Sequence, residues 1–381
     1  MGPAEAVERQ RLIVVCGPGG VGKTTTAAAF GLAAARRGRR ALVLTIDPAK
    51  RLGESLGEAS LGNDPVRVPN HLFDPSGSST GELWALMLDQ EQTADTLIVR
   101  HASSEEAARR VLSNRIYRVL VSALASTEYT AVERLWQLYT EGRFDLYVLD
   151  TPPSRNAIDF LDSPQWAARV LDQRIVTWFL RTARQTEPGE GIAQAVMYRT
   201  AMLVADLMGR LLGREFYDEL TEFFEVFVDI SEHLRDHSIE VDHLLRRPST
   251  SFFVATSPEQ GPIEEAIRMV KALNQRGITF GGFVVNRVEV PLVAPHSTTI
   301  AGYARQVGLS EDAIQRLHPA LQATWQELQA VVARDEAAIR QLAFASRNGL
   351  GVHRVPRLGD DLAGILDLAR FASWLVGTPR C

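Results

Sequence analysis

Eight consecutive residues, Gly17-Pro18-Gly19-Gly20-Val21-Gly22-Lys23-Thr24, restrict the fold of this chain more than any other stretch. They satisfy the phosphate-loop pattern G-x-x-x-x-G-K-[ST] throughout. The apolar run Leu12–Cys16 before them reads as a buried strand, and the alanine-rich stretch Thr24–Arg37 after them reads as a helix. Glycines let the backbone curl until successive N–H groups converge on phosphate oxygens, and the following helix adds the positive end of its dipole. Gly17, Gly19, Gly20, Val21, Gly22, Lys23, Thr24 and Thr25 are therefore the candidate phosphate ligands. Lys23 is expected to reach the β- and γ-phosphates, and the Thr24 hydroxyl to sit on Mg²⁺.

Further apolar runs recur between helical patterns: Ala41–Ile46, Leu83–Leu88, Leu146–Leu149, Phe252–Thr256, Gly282–Asn286 and Gly351–Val355. Val- and Leu-rich strands alternating with helices predict a doubly wound, mostly parallel α/β sheet covered on both faces. Three long helical stretches interrupt it, about 90–141, 163–245 and 301–346. The first two are expected to build an α-helical subdomain on a single domain spanning 1–381, with the third as a further insertion. The segment Asp64–Gly81, rich in Pro, Ser and Gly, reads as an exposed loop.

The 381 residues are 45% hydrophobic, enough for a large core. A net charge of −5 gives no basic surface for nucleic acid or an anionic membrane. Two cysteines, Cys16 and Cys381, exclude a disulfide framework or a four-cysteine metal site within the chain. No apolar run reaches the length of a membrane span, and the N-terminus lacks the apolar core of a secretory leader. A cytoplasmic location is expected.

Two aspartates follow apolar strands, where an open parallel sheet presents its ligands. Asp47 ends Leu42-Val43-Leu44-Thr45-Ile46-Asp47, and Asp150 ends Leu146-Tyr147-Val148-Leu149-Asp150. One such aspartate commonly supports Mg²⁺ and a second can orient the water that attacks a γ-phosphate. Behind a complete phosphate loop they point to a nucleotide hydrolase.

These residues resemble the arsenite-pump and tail-anchored-protein-targeting ATPases, of the deviant Walker A class of P-loop ATPases, as a bacterial-type member. The resemblance covers most of the chain. It is carried by Gly17–Thr25, by Thr45-Ile46-Asp47-Pro48-Ala49, by Asp150-Thr151-Pro152-Pro153-Ser154 with Phe160-Leu161, by Val284-Val285-Asn286-Arg287 and by Val355-Pro356-Arg357-Leu358. It implies that Asp47 polarises the attacking water and takes part with Thr24 and Asp150 in holding Mg²⁺. It also implies that Asn286 binds adenine edges, with Pro356 walling the base. Asn286 is not followed by the aspartate of a guanine-selective N-K-x-D loop, so ATP is expected rather than GTP. The implied activity is that of a nucleotide-switched dimer gating a hydrophobic or membrane-protein client.

Two departures qualify that picture. The family places a lysine after the first loop glycine, where it reaches a partner's phosphates; here Pro18 supplies no charge and no N–H. A charge delivered in trans is worth about 10³–10⁵ in rate. A paralogous ATPase in a heterodimer could supply it, or Arg51 or Arg155 could substitute. Otherwise the chain is a catalytically weak, ATP-binding regulatory subunit of a heteromeric complex. Arsenite binding needs clustered thiols, which are lacking, as is the C-x-x-C of a zinc-clamped dimer. Met197, Met202, Met208, Phe216, Phe223, Phe224 and Phe227 could line a client groove, although amphipathic core packing is the plainer reading. His233, Asp236 and His237 form H-x-x-D-H, which reads as a solvated helix face.

Overall fold

The computed structural model describes residues 1–46, 51–56, 61–74, 77, 79–118, 127–151, 213–294, 296–346, 351–358 and 364–377. An eight-stranded sheet organises them: β1 (Leu12–Cys16), β2 (Arg40–Thr45), β3 (Val66–Val68), β4 (Glu82–Met87), β5 (Leu146–Asp150), β6 (Thr250–Thr256), β7 (Phe280–Val288) and β8 (Val352–Pro356). The spatial order is β3-β4-β2-β5-β1-β6-β7-β8. Every neighbouring pair is parallel except β3 with β4. This is the expected doubly wound α/β sheet. Its connections lead away from β1 on both sides, so the end of β1 lies where the strand order reverses, a place where open sheets bind ligands.

Alternation along the strands divides the core between the two faces. Leu12, Val14, Leu42, Leu44, Leu149, Phe252 and Val254 share one cluster with α7 (Thr127–Glu141), the end of α8 (Arg214–Leu245), α9 (Gln260–Gln275) and α11 (Glu311–Ala345). Ile13, Val15, Ala41, Val43, Val148, Phe253 and Ala255 share the other with α1 (Pro3–Arg9), α2 (Lys23–Arg36), α3 (Arg51–Leu56) and α12 (Ile365–Val376). The alanines of α2 are small for a reason. A Cβ on Gly31 would lie 2.2 Å from Val43 Cγ2, so this helix rides almost directly on the sheet.

A smaller cluster, away from the sheet, joins Leu97 and Ile98 of α5 (Gln90–His101), Ala108 and Val111 of α6 (Glu105–Ser113), Ile116 and Tyr117 just after α6, and, from α8, Phe223. Gly142, at φ 68°, ends α7 as a left-handed stop. No helix among the described residues is long and apolar enough to cross a membrane.

Several expectations need correction. The stretch 64–81 is not simply an exposed loop: β3 adds an antiparallel edge to β4, α4 (Asn70–Phe73) follows, and Val68 and Phe73 are buried. The third helical stretch is two helices, α10 (Ser297–Gln306) and α11, and of the stripe Leu321, Trp325, Leu328, Val332 only Val332 is buried. The methionines Met197, Met202 and Met208, the start of the second helical stretch, and Asp47 and Arg155 lie outside the described residues. So do the side chains of Arg51, Phe216, Phe227 and His233.

Candidate nucleotide site

The loop between β1 and α2 is built by conformations that side chains resist. Gly17, Gly20 and Gly22 take φ of 140°, 75° and 90°. Gly17 also passes so close to β6 that a Cβ would meet the Ala255 carbonyl oxygen at 2.1 Å. Gly22 is the N-cap of α2, which aims the first-turn amides of that helix at the loop. Gly19 and Gly20 are exposed at its crest, whereas Pro18 and Val21 are buried.

Lys23 opens α2 and is 6% exposed. Its Nζ donates to the Pro18 carbonyl at 2.8 Å, which folds the ammonium back over the loop. Proline has lost its N–H but keeps this acceptor, so Pro18 steadies Lys23 through its backbone.

Asp150 lies at the tip of β5, paired with Val15 on one side and Thr45 on the other. It is fully buried. Thr24 Oγ1 and Thr45 Oγ1 both donate to its Oδ2, at 2.7 and 2.8 Å. One carboxylate thus ties the phosphate-loop helix to β2, the strand that leads toward Asp47. A buried carboxylate with hydroxyl oxygens is a hard donor set, suited to Mg²⁺ rather than to a thiophilic ion. The next residue closes the corner: Thr151 N and Oγ1 donate to the Val15 carbonyl at 3.1 and 3.0 Å.

Asn286 and Pro356 stand at the same end of the sheet, on β7 and β8. Asn286 is 3% exposed. Its Nδ2 donates to the Val21 carbonyl at 2.6 Å and lies 3.4 Å from Thr26 Oγ1, so it braces the back of the phosphate loop. Its Oδ1 is buried without a hydrogen-bond partner among the described residues. The local backbone explains its aim. Arg287 takes a left-handed φ of 59°, and the β7–β8 register shifts between Val285 and Val288. Pro356, half-buried, pairs with Val288 beyond that shift.

Two side chains went unassigned in the sequence. Thr45 was visible in Thr45-Ile46-Asp47 but carried no role there; the structure makes it the second hydroxyl on Asp150. Thr26 is fully buried and donates to the Gly22 carbonyl at 2.8 Å, holding the loop's last turn. Cys16, just before the loop, is no reactive thiol. Burial pushes its pKa up to about 12, against the opposing pull of Lys23.

The sequence model of the anion-transporting ATPase family matches residues 10–292. The chain belongs to that family. The match contains the phosphate loop, Asp150 and Asn286, and stops short of Pro356. The chain is 25% identical over 291 residues to a protein of Aquifex aeolicus named as an arsenical pump-driving ATPase, covering 73% of this chain and 63% of that one. It is 23% identical to the ATPase ASNA1 homolog 1 of Paramecium tetraurelia, covering 75% and 78%. It is likewise 23% identical to the ATPase ASNA1 homolog of Plasmodium yoelii yoelii, covering 74% and 64%. The matched stretch thus spans less than two thirds of two of these relatives.

Proposed function

We propose that this chain is a Mg²⁺-dependent ATP hydrolase whose nucleotide state switches a dimer and gates a hydrophobic or membrane-protein client. The observation that carries the reading is the Thr24–Asp150–Thr45 cluster beside a complete phosphate loop. Bound Mg²⁺ would offset the negative charge on the phosphates. The loop amides cradle the phosphates, and Lys23 exchanges its hold on the Pro18 carbonyl for a γ-phosphate oxygen. The Thr24 hydroxyl and the Asp150 carboxylate, which touch one another at 2.7 Å, would hold the metal. Asp47, two residues past Thr45, orients the attacking water. The Oδ1 of Asn286, without a hydrogen-bond partner among the described residues, is an acceptor suited to the amino group of adenine, which supports ATP over GTP.

The switch follows from the shared carboxylate. Thr24 senses the nucleotide, Thr45 leads toward Asp47, and Asp150 precedes the sequence Thr151-Pro152-Pro153. A change at the phosphates therefore reaches the starts of both following segments. The helices between β4 and β6 form the proposed client-binding subdomain. Dimerisation is expected to depend on ATP, in a homodimer or with a paralogous ATPase.

Calorimetry with Mg-ATP tests the reading. The wild-type chain should bind and Thr24→Ala should bind at least about tenfold more weakly. Absence of binding by the wild-type chain would remove the proposal. A second reading, a weakly hydrolysing regulatory subunit, is favoured by Pro18, which is buried and offers no charge to a second protomer. Phosphate release separates the two. A lone chain with sustained turnover is the enzyme; binding without turnover is the regulatory subunit.

A further inference from the structure

Away from the nucleotide site, three helices bring His101, Glu133 and His237 together. His101 is the last residue of α5, Glu133 lies in α7 and His237 in α8. Each offers one ligand atom, and these atoms all lie within 4.8 Å of one another. Glu133 Oε1 lies 3.0 Å from His237 Nδ1. The His237 ring lies tilted against Trp136, centroids 4.2 Å apart, and meets His101 edge-on at 4.8 Å.

We propose that His101, Glu133 and His237 bind one divalent transition-metal ion of the zinc type. The decisive atom is Glu133 Oε2. Glu133 is 2% exposed, and this oxygen is buried without a hydrogen-bond partner among the described residues. Asp335 shows how the same fold treats a buried carboxylate with a structural role. It is 1% exposed, yet its Oδ2 accepts from Glu289 N at 3.0 Å and its Oδ1 from Arg334 at 2.9 Å. Half a buried carboxylate left idle is costly, and a cation is the partner that corrects it. Two imidazoles and one carboxylate are a common zinc donor set, with a fourth position for water. Bonds of about 2.0–2.2 Å require the three atoms to close up on binding. His101 is placed to do so, because the chain leaves the helix at Ala102, in extended conformation. The proton held between His237 and Glu133 would leave to solvent as the metal enters. A bound ion would fasten α5, α7 and α8 together, and α7 runs directly into β5, which ends in Asp150.

The test is cobalt titration of tag-free, chelator-stripped full-length protein without nucleotide, followed by competition with Zn²⁺. One equivalent of Co²⁺ with visible d–d absorption, displaced by zinc, is expected. Affinity should fall at least about 100-fold in Glu133→Gln and in His101→Asn. Circular dichroism and Mg-ATP binding confirm that each variant is folded, and His101→Asn, at a helix end, keeps the test open if Glu133→Gln does not fold. No stoichiometric uptake overturns the site. So does uptake that survives in His101→Asn and His237→Asn, or that disappears only in Cys381→Ser.

Discussion

Asp150 at the tip of a central strand and Glu133 in the helical layer are both withdrawn from water, and their surroundings differ in kind. Asp150 is met by two threonine hydroxyls on one oxygen. Glu133 is met by an imidazole on one oxygen, and the other has no hydrogen-bond partner among the described residues. Hydroxyls are neutral and hard, so the Asp150 cluster is a donor set of the kind that suits magnesium. Imidazoles are titratable and softer, so Glu133 sits in a cluster that answers to protons and to borderline metals. The first arrangement lies at a strand tip, where backbone register fixes the atoms. The second depends on three helices staying packed. The same residue class is thus prepared for two chemistries by what the fold sets beside it.

The largest expected effect separates the two carboxylates. Asp150→Asn keeps the shape but removes the charge. Phosphate release should fall by about 10²–10³-fold, in line with the loss of one preorganised group stabilising the transition-state charge. Glu133→Gln should leave turnover within a few-fold of wild type. If both fall equally, the helical layer belongs to the catalytic machinery and the contrast between the two sites breaks.

Next in size is a stability effect that asks which region tolerates distortion. Gly31→Ala drives a methyl toward Val43 Cγ2 and Leu83 Cδ1, 2.2 and 3.1 Å from the ideal Cβ position. Both neighbours belong to the sheet core, so overpacking should cost about 1–3 kcal/mol. Urea unfolding gives the value. An unchanged midpoint would mean that α2 lifts from the sheet without penalty, contrary to the burial of residues 26–35 along it.

Much of the sheet was readable in the sequence because parallel strands buried on both faces must be apolar throughout. Leu12–Cys16 coincides with β1, and β5 differs from expectation only by including Asp150. The phosphate loop was readable because its chemistry is local: every group needed lies within eight residues. β3 and α4 were not. Val68 and Phe73 are buried by tertiary contacts, while the Pro, Ser and Gly around them carry the local signature of a loop. The helical cluster was misread for a related reason. The H-x-x-D-H spacing relates His237 only to neighbours on its own helix, and Asp236 is indeed exposed. His237 instead turns inward to Glu133, 104 positions away, and to His101. Periodicity reports which face a residue occupies, not what the opposing helix will place there.

A smaller effect concerns pH. The hydrogen bond that His237 donates to Glu133 raises its pKa above the ordinary 6.5; burial acts against this, Glu240 adds to it and Arg100 opposes it. A histidine whose folded pKa is raised contributes stability that is fully present below its unfolded pKa, near 6.5, and lost as pH rises through the higher folded value. Metal-free protein should therefore show a component of unfolding stability that declines as pH rises above about 6.5. Glu133→Gln should flatten that component, whereas Asp150→Asn should leave it unchanged. A slope of equal size in Glu133→Gln would assign the pH response elsewhere and dissolve the link between Glu133 and His237.

The smallest expected signal tests how tightly the loop region is closed. Cys16 is 3% exposed, its Sγ lies 3.6 Å from the Phe253 carbonyl, and burial pushes its pKa up to about 12. Only the thiolate reacts readily, so at pH 8 very little of the reactive form is present even when reagent reaches it. In a Cys381→Ser background, maleimide should label native protein far more slowly than urea-unfolded protein. Mg-ATP should slow it further, because a ligand that binds only the folded chain lowers the population of open forms. Zinc, held by the helical layer, should protect Cys16 less than Mg-ATP does. Equal protection by the two ligands would mean that the strand-tip and helical sites open as one unit, and that the two carboxylates answer to the same motion.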